Sequence, residues 1–268
     1  MDTTLTAADG TRLVGRRTGQ GAPVVLVHGS GGGLDSWDPV APLLADEFQL
    51  WVYARRGYPP SGACRQAETF AHDVADLAAV LAAAGGSAQV VGGSYGATVA
   101  LHAARNGVPG IRSLVLFEPP LFAAGPGLEP VLGEHRPLVA AGDTRAAARV
   151  FARDVARVPG ALLDALDRAG GGERDAVRDA AEAVGSLHDL EAMAADGPDL
   201  RRWAQVDVPA LLVQGADTWD PVPDTMDALA EVLPMVTRAL LPGQSHFATH
   251  TAPALFADTL RPFLRVHR

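Results

Sequence analysis

Three short stretches of this chain carry residues able to do acyl-transfer chemistry. Gly92-Gly-Ser-Tyr-Gly96 fits Gly-x-Ser-x-Gly and joins an apolar run ending near Val91 to a helical run beginning at Tyr95. At such a strand–turn–helix junction a serine sits on a sharp, strained turn, and glycines flank it because side chains there would collide with the strand and the helix. The helix N-terminus beneath favours developing negative charge. Ser94 is therefore a candidate nucleophile, against the plainer alternative of a Gly-Ser turn that only closes a strand. Pro242-Gly-Gln-Ser-His-Phe247 follows a late strand and places His246 on a loop at the same sheet edge. A histidine titrating near neutrality can take a proton from a serine and return it to a leaving group. The rival reading pairs His246 with His250 as metal ligands, but no Glu follows His246 as in His-Glu-x-x-His and no third ligand is evident, so no metal is expected.

The third stretch, His28-Gly-Ser-Gly-Gly-Gly33, comes directly after the apolar run ending at Val27. As a dinucleotide loop it fails, because Leu34 stands where Gly-x-Gly-x-x-Gly needs its last glycine. Set beside Ser94, it supplies backbone amides to an oxyanion: those of Ser30 and Tyr95 would hold a tetrahedral intermediate, each donor contributing about 3 kcal/mol. His28 is expected to prop the loop by hydrogen bonding; a flexible turn is the alternative. His72, His102, His135, His188 and His267 read as surface or packing residues.

Composition narrows the chemistry further. All 22 basic residues are arginine, which excludes Schiff-base, Walker A and Ser-x-x-Lys chemistry in cis. A single cysteine, Cys64, excludes disulfide frameworks and Cys-rich metal or cluster sites, and reads as an incidental thiol. The net charge of −9 argues against nucleic-acid and anionic-membrane partners. The first ten residues do not read as a signal peptide, and no apolar run approaches the roughly 20 residues of a membrane helix, so a cytoplasmic protein is expected. No cofactor is implied, and a homodimer is compatible with the composition.

The elements that must position these residues follow from hydrophobic periodicity. Thr11–Arg17 alternates as a half-buried edge strand; Pro23–Val27, Ala88–Val91 and Leu114–Phe117 read as buried parallel strands, with Phe48–Tyr53 a further one. Helical patterns over Glu68–Ala84 and Tyr95–Arg105 separate them. Strands alternating with helices predict an α/β fold, a mainly parallel twisted sheet with helices on both faces. From about Pro119 to Ala204 the pattern turns all-helical, as over Thr144–Ala156 and Glu173–Ala183, with Gly170-Gly-Gly172 as a flexible joint. Strand–helix alternation then resumes with Ala210–Gln214, Asp224–Leu233, Val236–Leu241 and Ala252–Leu264. The expected organisation is a core of residues 1–118 and 205–268 interrupted by a helical cap of residues 119–204.

On these features the chain resembles the α/β-hydrolase superfamily: the His28-Gly29 loop, Trp37 and Pro39 after it, Arg56-Gly57 after the next strand, the Ser94 elbow, a cap and a late histidine. Two positions depart from the common pattern, Gly93 where many members have His and Ala54 where many have Asp. The resemblance implies the chain order Ser…acid…His. Most members carry the acid after the strand that Asp217 follows here, 29 residues before His246, and this makes Asp217 the favoured acid. Glu118, 24 residues beyond Ser94, is a competitor because dehalogenase-like members place their acid at a similar site; Asp220 is the third candidate. The acid would orient the imidazole and stabilise its charged form.

The expected activity is serine hydrolysis of an ester, thioester or lactone through an acyl-enzyme, on a small-molecule acyl or lactone substrate of medium size and apolar character. With serine at the nucleophile position, epoxide or haloalkane hydrolysis is disfavoured. Two other classes stay open on the same fold: a non-hydrolytic ligand-binding or signalling module, and a cofactor-free cyclase using His246 and the oxyanion loop alone. Phe151, Leu162, Leu163, Leu166 and Met193 are candidate pocket lining in the cap.

Overall fold

In the computed structural model, which describes residues 1–64, 69–169 and 176–268 (side chains of 166, 167 and 169 excepted), the apolar runs pair into one eight-stranded sheet. The strands are β1 (Asp2–Thr6), β2 (Arg12–Thr18), β3 (Ala22–Val27), β4 (Phe48–Tyr53), β5 (Ala88–Gly93), β6 (Ile111–Phe117), β7 (Ala210–Gly215) and β8 (Val236–Leu241). Their order is β1-β2-β4-β3-β5-β6-β7-β8, antiparallel at β1–β2 and β2–β4 and parallel elsewhere. The expected edge strand is thus one place inside the edge. Outside it lies β1, whose only apolar residue, Leu5, is half-buried against the core and whose threonines left no apolar pattern in the sequence.

The helices are α1 (Ala41–Leu44), α2 (Phe70–Ala83), α3 (Tyr95–Arg105), α4 (Glu129–Ala140), α5 (Thr144–Val150), α6 (Gly160–Ala169), α7 (Ala176–Ala194), α8 (Val222–Val232), α9 (Ala248–Thr251) and α10 (Pro253–Val266). Successive residues of a strand point to opposite faces, so each central strand feeds two cores. Val25 and Val27 of β3 pack with Leu77 and Leu81 of α2, while Val24 and Leu26 pack with Leu44 of α1 and Phe256 and Leu260 of α10. Each such fully buried side chain contributes about 1.5–3 kcal/mol. Among the described residues no helix is long and apolar enough to cross a membrane.

Strand order decides where the loops meet. From β3 the chain moves outward to β4, then returns to place β5 on the other side of β3. The loops after β3 and β5 therefore leave in opposite directions and open a crevice at their C-terminal ends. That is where the His28 loop and Ser94 come together. Between β6 and β7 the described residues contain helices and no strand, as expected, although the Thr144–Ala156 pattern divides into α5 and a π-helical turn at Phe151–Val155. The Gly170–Gly172 joint, and residues 173–175 of the predicted Glu173–Ala183 helix, lie outside the described residues.

A buried ion cluster underlies the crevice. Arg55, just past β4, is 1% exposed and donates to Asp73 of α2 and, with two nitrogens at 2.8 and 2.7 Å, to Asp189 of α7. Its Nε donates to the His28 carbonyl at 3.1 Å, and its backbone amide to His28 Nε2 at 2.9 Å. The other His28 nitrogen, Nδ1, lies 2.7 Å from the Gly29 carbonyl, so the ring is neutral with its proton on Nδ1. Burial first, and then the Arg55 charge, push the His28 pKa from 6.5 down to about 3.

The folded state therefore binds fewer protons at His28 than the unfolded chain does between those values. The stability this residue contributes is complete above pH 6.5 and is lost as pH falls toward 3, at up to about 1.4 kcal/mol per pH unit. Thermal unfolding measured from pH 7 to pH 3 should fall less steeply for His28→Gln than for the unaltered protein; parallel curves would contradict this assignment.

Candidate active site

Ser94 is held by its backbone. It adopts φ 52° and ψ −122° between β5 and α3, a conformation that costs a non-glycine residue of order 1–3 kcal/mol. The turn is pinned because the Ser94 amide donates to the Phe117 carbonyl of β6 at 2.8 Å, while the Ser94 carbonyl accepts from Ala97 at 2.9 Å. Glycine is required on both sides. A Cβ on Gly92 would lie 2.4 Å from the Gly96 carbonyl oxygen, and one on Gly96 would lie 2.3 Å from that of Val27. A Cβ on Gly29 would come within 3.1 Å of Ser94 Cβ, so the loop after β3 passes directly beside the serine. The backbone amides of Ser30 and Tyr95 donate to no other group among the described residues.

His246 lies on the loop after β8 with its ring stacked on Phe117, centroids 5.7 Å apart. Its Nδ1 is 2.6 Å from Glu118 Oε2. A carboxylate can only accept, so Nδ1 carries the proton and Nε2 is left with its lone pair. No hydrogen bond joins the Ser94 hydroxyl to His246 in this structure; both side chains line the same two cavities. His250 is exposed and hydrogen-bonds Thr249 Oγ1 at 3.0 Å, and no group of three His, Cys, Asp or Glu among the described residues could hold a metal ion.

The acid preference drawn from the resemblance needs correcting. Asp217 and Asp220 are exposed, and neither carboxylate reaches His246. Glu118 does, from the end of β6, with no solvent exposure and a positive φ of 45°. Its Oε1 accepts the Gly215 amide at 2.8 Å and its Oε2 the Thr218 hydroxyl at 3.1 Å, besides His246. The reason lies in the turn after β7, where the Asp217 amide is tied to the Gln244 carbonyl at 2.8 Å. That turn contributes donors to Glu118 and leaves its own aspartates at the surface.

Two spaces meet at Ser94. An open cavity of about 390 Å³ is bounded by the Ser30 loop, Trp37, Asp35, Arg178 and His250. Arg178 there is paired with Asp35 and Glu182, at 2.7 and 2.6 Å. On the other side an enclosed cavity of about 20 Å³ is walled by Phe122, Phe151, Val155, Met193, Trp219 and Val222. Of the lining candidates named from the sequence, Phe151 and Met193 reach it and Leu162 and Leu163 do not; the side chain of Leu166 lies outside the described residues. Phe122, Trp219 and Val222 had no sequence signal, since the first two sit on loops and the third opens α8, and only the folded chain brings them together. Trp219 Nε1 donates to the Ala156 carbonyl at 2.9 Å, tying the turn after β7 to the end of the π-helical turn.

The chain is similar to known proteins in sequence and in fold. A 115-residue stretch is 37% identical to N-formylmaleamate deformylase of Pseudomonas putida, and spans 42% of this chain and 42% of that protein. The fold is similar to the crystal structure of an alpha/beta hydrolase from Sphaerobacter thermophilus, with TM-score 0.83 and 30% identity over 97% of this chain and 99% of that one. It is also similar to a thermophilic esterase from Thermogutta terrifontis, with TM-score 0.79 and 22% identity over the whole of both chains, a likeness of fold alone. The model of the alpha/beta hydrolase family matches residues 24–259, from β3 into α10, and the chain belongs to that family.

Proposed function

We propose that the protein hydrolyses a short-chain ester, thioester or lactone through an acyl-enzyme on Ser94, with His246 as general base and acid and Glu118 as the orienting carboxylate. The observation that carries this reading is the 2.6 Å contact between a fully buried carboxylate and the imidazole that shares a cavity with the elbow serine. Ser94 Oγ attacks the carbonyl carbon while His246 Nε2 takes its proton. The carbonyl oxygen, now an anion, accepts from the Ser30 and Tyr95 amides at the positive end of α3. Collapse of the tetrahedral adduct expels the alcohol or thiol, which leaves with the proton from His246. Water then attacks the acyl-enzyme by the same route, and the acid departs with Ser94 restored.

Residues 119–204 act in this reading as the cap that closes the small cavity. A cavity this small, walled by apolar side chains, suits a short acyl chain and not a long one. The curated relative is named for removing a formyl group, the smallest acyl group. The larger, more polar part of the substrate lies in the open cavity, where Arg178 is already neutralised by two carboxylates and offers little to an added anion.

Turnover of nitrophenyl esters should fall at least about tenfold between acetyl and octanoyl chains, and Ser94→Ala should abolish it; a flat chain-length profile contradicts the cap's role, full activity in Ser94→Ala contradicts the acyl-enzyme and favours a cyclase, and no turnover by the unaltered protein favours a binding role. Glu118→Gln should lower kcat by about 10³–10⁴, as for an imidazole deprived of its orienting carboxylate. Asp217→Asn should stay within about threefold of the unaltered enzyme, as expected of an exposed side chain. The reverse order would return the acid to Asp217.

A further inference from the structure

Arg55 is one of the largest fully buried side chains of the molecule, and the proposed reaction does not use it. Its guanidinium lies over two aromatic rings, 4.8 Å from the centroid of Tyr58 and 4.3 Å from that of Tyr95. Besides Asp73 and Asp189, it donates to the carbonyls of His28 and Gly29, at 3.1 and 3.5 Å. The Gly29 carbonyl matters most. In a planar trans peptide the carbonyl and the following amide point in opposite directions. Drawing the Gly29 carbonyl down toward His28 Nδ1 and Arg55 therefore turns the Ser30 N–H the other way, toward the cavity.

The next peptide is fixed by the same cluster. The Gly31 amide donates to the Tyr58 hydroxyl at 3.2 Å, and that hydroxyl donates to Asp189 Oδ2 at 2.7 Å. Asp189 belongs to α7, within the helical segment between β6 and β7. One turn earlier on α7, a Cβ on Gly185 would lie 2.6 Å from the Tyr58 ring, so the helix is seated on that ring with no room to spare.

We propose that Arg55, Tyr58 and Asp189 are positioning residues that couple the seating of α7 to the direction of the Ser30 amide, so that the oxyanion site is assembled only while the cap is docked. The inference rests on the reading of Ser30 and Tyr95 as oxyanion donors. Without Asp189, Arg55 keeps Asp73 but loses its two shortest bonds, and the Tyr58 hydroxyl loses its acceptor. Cap opening would therefore switch off transition-state stabilisation without moving Ser94 or His246.

The test compares Tyr58→Phe, Asp189→Asn and Gly185→Ala with the unaltered protein, each normalised to the number of serines titrated by a fluorophosphonate. Normalisation removes any misfolded fraction, and Tyr58→Phe deletes a single oxygen. We expect kcat per titrated site to fall about tenfold in Tyr58→Phe and about 30-fold or more in Asp189→Asn and Gly185→Ala, with KM within about twofold, because displacing an oxyanion donor costs less than the 10²–10³ of deleting one. Affinity for a trifluoromethyl ketone, whose adduct carries the oxyanion, should fall in proportion to kcat/KM. Unchanged kcat per site, or unchanged ketone affinity, overturns the inference while leaving the proposed reaction intact. Failure of Ser94 to react with the fluorophosphonate in the unaltered protein overturns the reading of the site and the inference with it.

Discussion

A carboxylate with no access to water must find all its partners within the protein, or its ionised form cannot survive burial. Glu118 meets that demand with three donors, the Gly215 amide at the end of β7, the Thr218 hydroxyl just past it and the His246 ring. The arrangement of the site hangs on this requirement. It forces β6 to end in a positive-φ residue, brings the turns after β7 and β8 against the end of β6, and fixes which nitrogen of His246 carries the proton. Ser94 is tied to the same strand, since its amide donates to Phe117, the residue before Glu118.

A second buried charge organises the other half of the crevice. Arg55 satisfies its nitrogens on Asp73, Asp189 and two carbonyls of the loop after β3, with two tyrosine rings against its guanidinium. The two clusters divide the work. Glu118 orders the loops that would move protons, and Arg55 orders the loop that would hold the oxyanion. They draw on different elements, and only the Arg55 cluster takes an ion-pair partner from the helical segment.

Much of this was legible in the sequence where a local pattern has a single physical solution. Seven strands, the helix at Tyr95–Arg105 and the Gly-x-Ser-x-Gly turn follow from periodicity and from glycines that nothing else can replace, as at Gly92 and Gly96. The acid was not legible. Asp217 and Glu118 both stand at the end of a buried strand, and what separates them is that the turn after β7 directs an amide and a hydroxyl inward and its aspartates outward. The walls of the small cavity were hidden for a related reason, because Phe122, Trp219 and Val222 meet only when segments distant in sequence converge. The first strand escaped because its threonines left no apolar pattern, and the π-helical turn because its sequence reads as an ordinary continuation of α5. The absence of lysine excluded whole chemistries, yet it gave no hint that one arginine would become a buried organiser.

Glu118, and not an aspartate after β7, holds the imidazole that would serve Ser94. Nuclear magnetic resonance of protein carrying nitrogen-15 histidine tests it most directly, through the Nδ1 proton of His246. A ring proton donated to a buried carboxylate at 2.6 Å should resonate far downfield of an unbonded one. This resonance should be present in the unaltered protein, persist in Asp217→Ala and disappear in Glu118→Ala. Its persistence in Glu118→Ala together with its loss in Asp217→Ala would contradict the account.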